Sequence, residues 1–136
     1  MKYFSLILLL LFTITSFGQD FSFYHGGYER KYLVHLPVNY QPELEYSLVL
    51  AFHGGLGKGS QMENQSLLSD KADEEGFIVV YPDGVPFALN IRTWNAGHCC
   101  GQAQINNVDD IGFVEALVIP SKTIIILKRA KYLELE

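Results

Sequence analysis

The stretch Ser47-Leu48-Val49-Leu50-Ala51-Phe52-His53-Gly54-Gly55 decides the fold that the sequence predicts. Its apolar run is short and ends at two glycines, which is typical of a strand buried on both faces. A second run of this kind, residues 77–81, leads into Pro82-Asp83-Gly84, a turn sequence. We therefore expect residues 47–52 and 77–81 to be interior strands of one sheet.

The segment between these two strands predicts a helical crossover. Its apolar residues have a loosely helical spacing, and Gly76 is placed as a C-terminal cap. The order strand, helix, strand implies a right-handed crossover and a parallel pair. A further strand is expected at residues 32–36, which alternate in polarity and are closed by Pro37.

The region from Pro82 to Ile105 has no periodicity and predicts a long loop, a feature that is usually functional in a compact domain. After it, Asn107 or Asp109 can cap a helix whose acidic first turn faces the helix dipole. The apolar residues of that helix recur at intervals of three and four. They are Val108, Ile111, Phe113, Val114, Leu117 and Val118.

Residues 1–18 are expected to be a secretory signal peptide. Lys2 supplies the positive charge, an apolar run follows over residues 6–12, and Ser16-Phe17-Gly18 offers small residues for cleavage. A retained membrane anchor is the alternative, although the apolar run is short for a bilayer span. We expect a secreted protein, extracellular or periplasmic, without stable membrane association after cleavage.

Composition excludes several classes of protein. The chain has 136 residues, a net charge of −5, 49% hydrophobic residues and two cysteines, which argues against disorder, a collagen-like chain or a disulfide framework. It permits one small domain. The mild acidity also argues against a nucleic-acid partner, which would require a concentrated basic patch.

An ordered series of motifs over residues 28–118 resembles the secreted esterases grouped as polyhydroxybutyrate depolymerases, feruloyl esterases and acetyl-xylan esterases. The motifs include Leu50-Ala51-Phe52-His53-Gly54-Gly55, Gly76-Phe77-Ile78-Val79-Val80-Tyr81-Pro82-Asp83-Gly84, Thr93-Trp94-Asn95-Ala96-Gly97 and Val108-Asp109-Asp110-Ile111-Gly112-Phe113. The resemblance implies the N-terminal half of an α/β-hydrolase fold, with a mostly parallel sheet and flanking helices. We expect an antiparallel edge strand or two, a parallel core led by residues 47–52 and 77–81, and at least two helices. It also implies hydrolysis of a small-molecule or polymeric ester by a Ser-His-Asp triad, without a cofactor.

The resemblance also suggests roles for individual residues. The N–H groups of Gly54, Gly55 and Leu56 are candidates for the oxyanion hole, because a glycine-rich turn after a parallel strand leaves them accessible. His53, Trp94 and Asn95 are candidates for the substrate cleft. The alternatives are an ordinary turn or loop role for the histidine and a packing role for the tryptophan. His98 is a second histidine near the expected crevice. Either His53 or His98 could be proposed as a general base, and a turn or loop role is the alternative that we favour for both.

The triad itself is absent. Such enzymes carry the serine in a Gly-x-Ser-x-Gly elbow, and no such sequence occurs in these 136 residues. Ser60, Ser66 and Ser69 lie in a polar, predicted helical segment, and Ser121 follows a proline. We therefore assign no catalytic residue and expect this chain to be inactive by itself. The alternative function is a non-catalytic secreted module that binds a polysaccharide or phenolic ligand.

Cys99 and Cys100 are candidates for disulfide bonds. Neighbouring residues rarely reach relaxed disulfide geometry, so a bridge between these two would be strained. The alternative is that one or both pair with cysteines outside this sequence. No metal site is expected, since this cluster offers too few ligands for zinc. Asp109 and Asp110 could suggest paired carboxylates or a metal site. Because adjacent residues on a helix point about 100° apart, they are interpreted instead as a helix N-terminus with one inward hydrogen bond.

The character of the sequence changes after Val118. Residues 19–118 carry 5 Lys/Arg and 13 Asp/Glu, whereas residues 119–136 carry 4 and 2. Pro120 would interrupt the preceding helix, and residues 124–127 form an isolated apolar run. We expect residues 19–118 to be the hydrolase-like part and residues 119–136 an unrelated tail, produced by a one-nucleotide shift near codon 118. A complete small secreted domain is the alternative.

Overall fold

The computed structural model describes residues 18–118. The expected signal peptide, apart from its last residue, and the expected unrelated tail lie outside these described residues. The strands are β1 (Gln19–His25), β2 (Tyr28–His35), β3 (Leu48–Leu50), β4 (Ile78–Pro82), β5 (Val85–Pro86) and β6 (Arg92–Thr93). The helices are α1 (Gly59–Ser66), α2 (Leu68–Glu75), a 3₁₀ turn (Ala88–Asn90), α3 (Gly101–Ile105) and α4 (110–118).

The main sheet is mixed, with the strand order β1-β2-β4-β3. The expected parallel pair is confirmed, since β3 and β4 run parallel with Val49 opposite Val79. However, β1 with β2 and β2 with β4 are antiparallel, as is the separate small sheet of β5 and β6. The prediction of a mostly parallel sheet is therefore wrong, and with it the assignment to the N-terminal half of an α/β-hydrolase fold.

The antiparallel part of the sheet follows from a tight turn. Gly26 and Gly27 connect β1 to β2 with φ values of 58° and 83°. Two consecutive residues with positive φ form a turn whose twist suits a two-residue hairpin, and glycine adopts that conformation at little steric cost. A connection this short can only join antiparallel strands.

Helices cover both faces of the main sheet. Tyr32 and Val80 belong to the cluster under α4, which also contains Phe113 and Leu117. The intervening residues of the strands point the other way and meet α1 and α2. They form a second cluster of Leu33, Ala51, Ala72, Val79 and Tyr81. This alternation explains why β4 is entirely buried, as its apolar run predicts.

Two helix ends agree with the sequence pattern. The N–H of Gly76 donates to the carbonyl of Ala72 at 2.8 Å and closes α2, so the predicted C-terminal cap is confirmed. Asp109 accepts the N–H of Gly112 at 2.9 Å and caps α4. No helix within the described residues is long and apolar enough to cross a membrane.

The region from Pro82 to Ile105 is more ordered than predicted. It contains β5, the 3₁₀ turn, β6 and α3. The two strands have only two residues each, which is too short for an alternating pattern to be recognised. Ala103 on α3 is fully buried against Val85 and Val108, which holds the segment to the rest of the fold.

Candidate functional site

The chain turns sharply after β3. The last bond to the neighbouring strand runs from the N–H of Ala51 to the carbonyl of Val80, at 2.9 Å. His53 is then buried with 4% of its surface exposed, whereas Gly54 and Gly55 lie at the surface. The oxyanion candidates therefore stand on an exposed turn that is anchored by a buried side chain.

The imidazole of His53 is bonded at both of its nitrogens. Nε2 lies 3.0 Å from the N–H of Gly84, and Nδ1 lies 2.7 Å from the carbonyl oxygen of Gly54. A backbone N–H can only donate and a carbonyl can only accept, so the ring is the neutral tautomer with its proton on Nδ1. Neither nitrogen is available to take a proton from a substrate. The role of His53 is structural, because its ring connects the Gly54 carbonyl to the N–H of Gly84.

The carbonyl of Gly54 receives two hydrogen bonds. One comes from His53 Nδ1, and the other comes from the N–H of Gly57 at 3.1 Å. Because a trans peptide is planar, fixing this carbonyl also fixes the N–H of Gly55, which points in the opposite direction. There is open space around Gly55, where a Cβ would find no atom within 4 Å.

The three oxyanion candidates differ in availability. Within residues 18–118, neither Gly54 nor Gly55 has an acceptor for its N–H. The N–H of Leu56 donates to the carbonyl of Arg92 at 3.0 Å and is not free. Of the three candidates, only Leu56 has its N–H bonded within the described residues, and that bond anchors the turn.

An apolar groove of about 320 Å³ is lined in part by Phe52, which directly precedes His53. Phe52 and Trp94 form one wall and meet edge to face, with ring centroids 5.4 Å apart. Ile111 and Val114 of α4 contribute to the other wall. The indole N–H of Trp94 donates to the carbonyl of His53 at 3.0 Å, which fixes the ring orientation. The groove can accept a flat apolar group.

Asn95 lies at the groove, but its polar groups are occupied. Its backbone N–H donates to Asp110 Oδ2 at 2.6 Å, and its side-chain Nδ2 donates to the carbonyl of Val108 at 3.0 Å. Asn95 therefore ties the Trp94 segment to the start of α4. Its bonding is that of a loop anchor.

A buried ion pair lies behind the groove. Arg30 Nη2 donates to Asp110 Oδ1 at 2.6 Å, and the side chains are 1% and 7% exposed. The guanidinium also stacks on Phe113, with Cζ 3.8 Å from the ring centroid. Burial lowers the pKa of Arg30, and the hydrogen bond to Asp110 opposes that change.

Sequence reasoning missed Arg30, Phe52 and Asp110 as contributors to this site. The sequence pattern predicts one inward hydrogen bond from the Asp109-Asp110 pair but not its partner, because Arg30 is 80 positions away in the chain. The available signal was the Asp109-Asp110 pair itself, because one helix cap needs only one carboxylate. Asp109, by contrast, stays at the surface beside His25, with the two side chains 3.0 Å apart.

The cysteines lie on the loop that follows Trp94. Cys99 and Cys100 are bonded to each other. The N–H of Cys100 donates to the carbonyl of Trp94 at 3.1 Å, so the pair folds the loop back towards the groove wall. His98 is exposed on this loop and does not line the groove. Among residues 18–118, no group of three or more His, Cys, Asp or Glu side chains is arranged to hold a metal ion.

The described serines of the predicted helical segment lie on the far side of the sheet. Ser60, Ser66 and Ser69 are on α1 and α2, and the groove borders α4 on the opposite face. Ser69 Oγ is 2.9 Å from the hydroxyl of Tyr81. None of these three hydroxyls can reach an ester held at Gly54 and Gly55. Ser121 lies outside the described residues.

Comparison with known proteins indicates an esterase-like relationship. No family model matches the chain. Feruloyl esterase B from Piromyces equi is 30% identical over 102 residues, which cover 74% of this chain. The chain spans 18% of the length of that relative.

Proposed function

We propose that this chain provides the ester-binding part of a carboxylic-ester hydrolase of the polyhydroxybutyrate depolymerase, feruloyl esterase and acetyl-xylan esterase group. The observation that carries the proposal is that, within residues 18–118, Gly54 and Gly55 have no acceptor for their N–H groups. They follow His53, whose carbonyl accepts the indole N–H of Trp94, a residue that lines the apolar groove. The similarity to feruloyl esterase B supports the same class of substrate.

The chemistry of ester cleavage requires this combination. When a nucleophile attacks an ester carbonyl, negative charge develops on the carbonyl oxygen. Backbone N–H groups that are already oriented stabilise that charge without having to reorganise, and removal of one such donor costs about 3 kcal/mol in other hydrolases. The two hydrogen bonds on the Gly54 carbonyl orient the Gly55 N–H in this way. The aromatic acyl group of the substrate would then occupy the groove.

The nucleophile of such a hydrolase is not assigned to any residue of this sequence. The motif resemblance calls for a serine in a Gly-x-Ser-x-Gly elbow, which does not occur in these 136 residues. We therefore propose that this chain binds esters without hydrolysing them. Sequencing the gene across codon 118 tests the proposed frameshift, which predicts an elbow motif in the alternative frame. A uniform reading frame without such a motif would contradict it.

A non-catalytic binding module for a phenolic or polysaccharide ligand is the second candidate function. The observation that favours it is that both ring nitrogens of His53 are bonded, so this histidine cannot act as a general base next to Trp94. The two candidates differ in ligand position. An esterase-like site places the ligand carbonyl at Gly55, whereas a phenolic module needs only the contact with Trp94.

The test uses the purified chain and its amide resonances in NMR. On titration with methyl cinnamate we expect the resonances of Gly54 and Gly55 to move, because their N–H groups meet the ester oxygen. The resonance of Leu56 is the internal control, since its N–H is already bonded to Arg92. Movement of the Trp94 indole signal alone would favour the binding module. No change at any of these positions would contradict both functions.

Secretion is the proposed location of the protein, on the strength of the motif in residues 1–18. We propose that the protein does not bind nucleic acid and is not stably associated with a membrane once that segment has been removed. Expression in a secreting host, followed by N-terminal sequencing of the exported product, is expected to give a chain that begins at Gln19. Retention of the first 18 residues on a membrane-bound product would support an anchor instead.

A further inference from the structure

We propose that Asp110 is a positioning residue that sets the aromatic wall of the groove and thereby gives the site its preference for a flat acyl group over an aliphatic one. This inference rests on the proposed function. It is carried by one carboxylate that joins three parts of the fold, namely β2 through Arg30, the groove loop through Asn95, and the first turn of α4.

Both oxygens of Asp110 are committed. Oδ1 accepts from the buried Arg30 and Oδ2 accepts from the backbone N–H of Asn95, each at 2.6 Å. Hydrogen bonds in which the acceptor is ionised are shorter and stronger than neutral ones. Because Arg30 is itself fixed by stacking on Phe113, the position of Asp110 is determined from the interior and is transmitted to the loop.

The loop position determines where the indole stands. Trp94 directly precedes Asn95, and its indole N–H donates to the carbonyl of His53. The residue is therefore held from one side by Asp110, through its neighbour, and from the other side by the turn that carries Gly54. Phe52 completes the wall through its edge-to-face contact with the indole. A flat ring bound beside this wall gains a stacking contact that depends on the indole orientation, whereas an aliphatic chain does not.

The amide variant Asp110→Asn separates positioning from general stability. A carboxylate accepts at both oxygens, whereas an amide accepts at one position and donates at the other. In this variant a donor must face either Arg30 or the Asn95 N–H, so one of the two contacts is lost. Asp109→Asn is the matched control, because it makes the same chemical change one residue away, where the contacts are with His25 and Gly112.

The experiment measures dissociation constants for methyl cinnamate and methyl hexanoate from the fluorescence of Trp94, the one tryptophan in the chain. We expect Asp110→Asn to weaken methyl cinnamate binding by about three- to tenfold, the range that one aromatic stacking contact is worth. Binding of methyl hexanoate should not change, and Asp109→Asn should leave both constants at the wild-type values. Circular dichroism establishes that both variants are folded.

The outcomes distinguish the inference from the proposed function. A wild-type chain that binds neither ester contradicts the proposed function. A wild-type preference for the aromatic ester that persists in Asp110→Asn, or an equal loss for both esters in that variant, overturns the inference alone.

A second measurement applies if Asp110→Asn does not fold. In the wild-type chain, the amide resonance of Asn95 should move on addition of methyl cinnamate and stay in place with methyl hexanoate. The reason is that only the aromatic ester stacks on Trp94, whose neighbour Asn95 is bonded to Asp110. An Asn95 resonance that is indifferent to both bound esters overturns the inference.

Discussion

Replacement of Arg30 by methionine tests how strongly the buried ion pair supports the fold. Methionine preserves an apolar stem of similar length that can still lie on the ring of Phe113. It removes the positive charge that faces Asp110, whose side chain is 7% exposed. The carboxylate keeps its hydrogen bond from the Asn95 N–H but loses its counter-charge.

The expected cost is large for a domain of this size. Removing one partner of a buried pair costs about 3–5 kcal/mol, because the remaining charge is left uncompensated. Small domains have a total stability of about 5–15 kcal/mol, so Arg30→Met should remove a large fraction of it. With a urea dependence of about 1–3 kcal/mol per molar, the unfolding midpoint should fall by about 2 M.

Urea unfolding followed by Trp94 fluorescence measures this effect. Lys71→Met is the matched control, because Lys71 pairs with Glu75 at the surface of α2, where the two side chains are 53% and 60% exposed. That variant should leave the midpoint unchanged. The double variant Arg30→Met/Asp110→Asn should recover part of the loss, because no buried charge remains. An Arg30→Met midpoint equal to that of Lys71→Met would refute the reasoning.

Two further predictions concern stability. Gly84→Ala should destabilise the chain by about 1–3 kcal/mol, the usual cost of forcing atoms into a packed site, because its Cβ would lie 2.6 Å from the carbonyl oxygen of Thr93. Gly54→Ala, where a Cβ meets open space, should unfold at the wild-type urea concentration; equal loss in both variants would contradict this account. Hydrogen bonds from the N–H of Gly112, and then from His25, lower the pKa of Asp109. A lowered pKa means that the charged form favours the folded state, so this contribution is present above about pH 4 and is lost as the pH falls further. Between pH 7 and pH 3, the melting temperature of Asp109→Asn should therefore fall by less than that of the wild type. An equal fall in both proteins would contradict this prediction.

The parts of the fold that could be predicted from the sequence are those with a local signal. The runs of β3 and β4, the cap at Gly76 and the start of α4 each depend on residues that are close in the chain. Sheet direction does not, since whether β2 joins β4 in parallel or antiparallel depends on pairing between distant segments. The hairpin turn at Gly26 and Gly27 is not among the sequence predictions, although two consecutive glycines are a local signal for such a turn.

The site divides in the same way. The position of Gly54 and Gly55 after a buried strand could be predicted, because it follows from the order of the motif. Which N–H groups are free could not, since the acceptor for Leu56 is the carbonyl of Arg92, 36 positions away. The role of Asn95 likewise depends on Asp110, which tertiary packing brings to it.

The short hairpin formed by β5 and β6 has an effect beyond its own two pairs of residues. Arg92 on β6 supplies the carbonyl that holds Leu56, and its side chain pairs with Asp83, with Nε 2.9 Å from the carboxylate. The turn that carries Gly54 is therefore held by a segment whose tip, at Leu89, is 93% exposed. Exposed loop tips are the sites where insertions are usually tolerated. Insertions at that tip would shift β6 and, through the Arg92 carbonyl, the turn that carries Gly54. Divergence or engineering could in this way re-aim the oxygen-binding N–H groups while the His53-Gly54-Gly55 sequence stays unchanged.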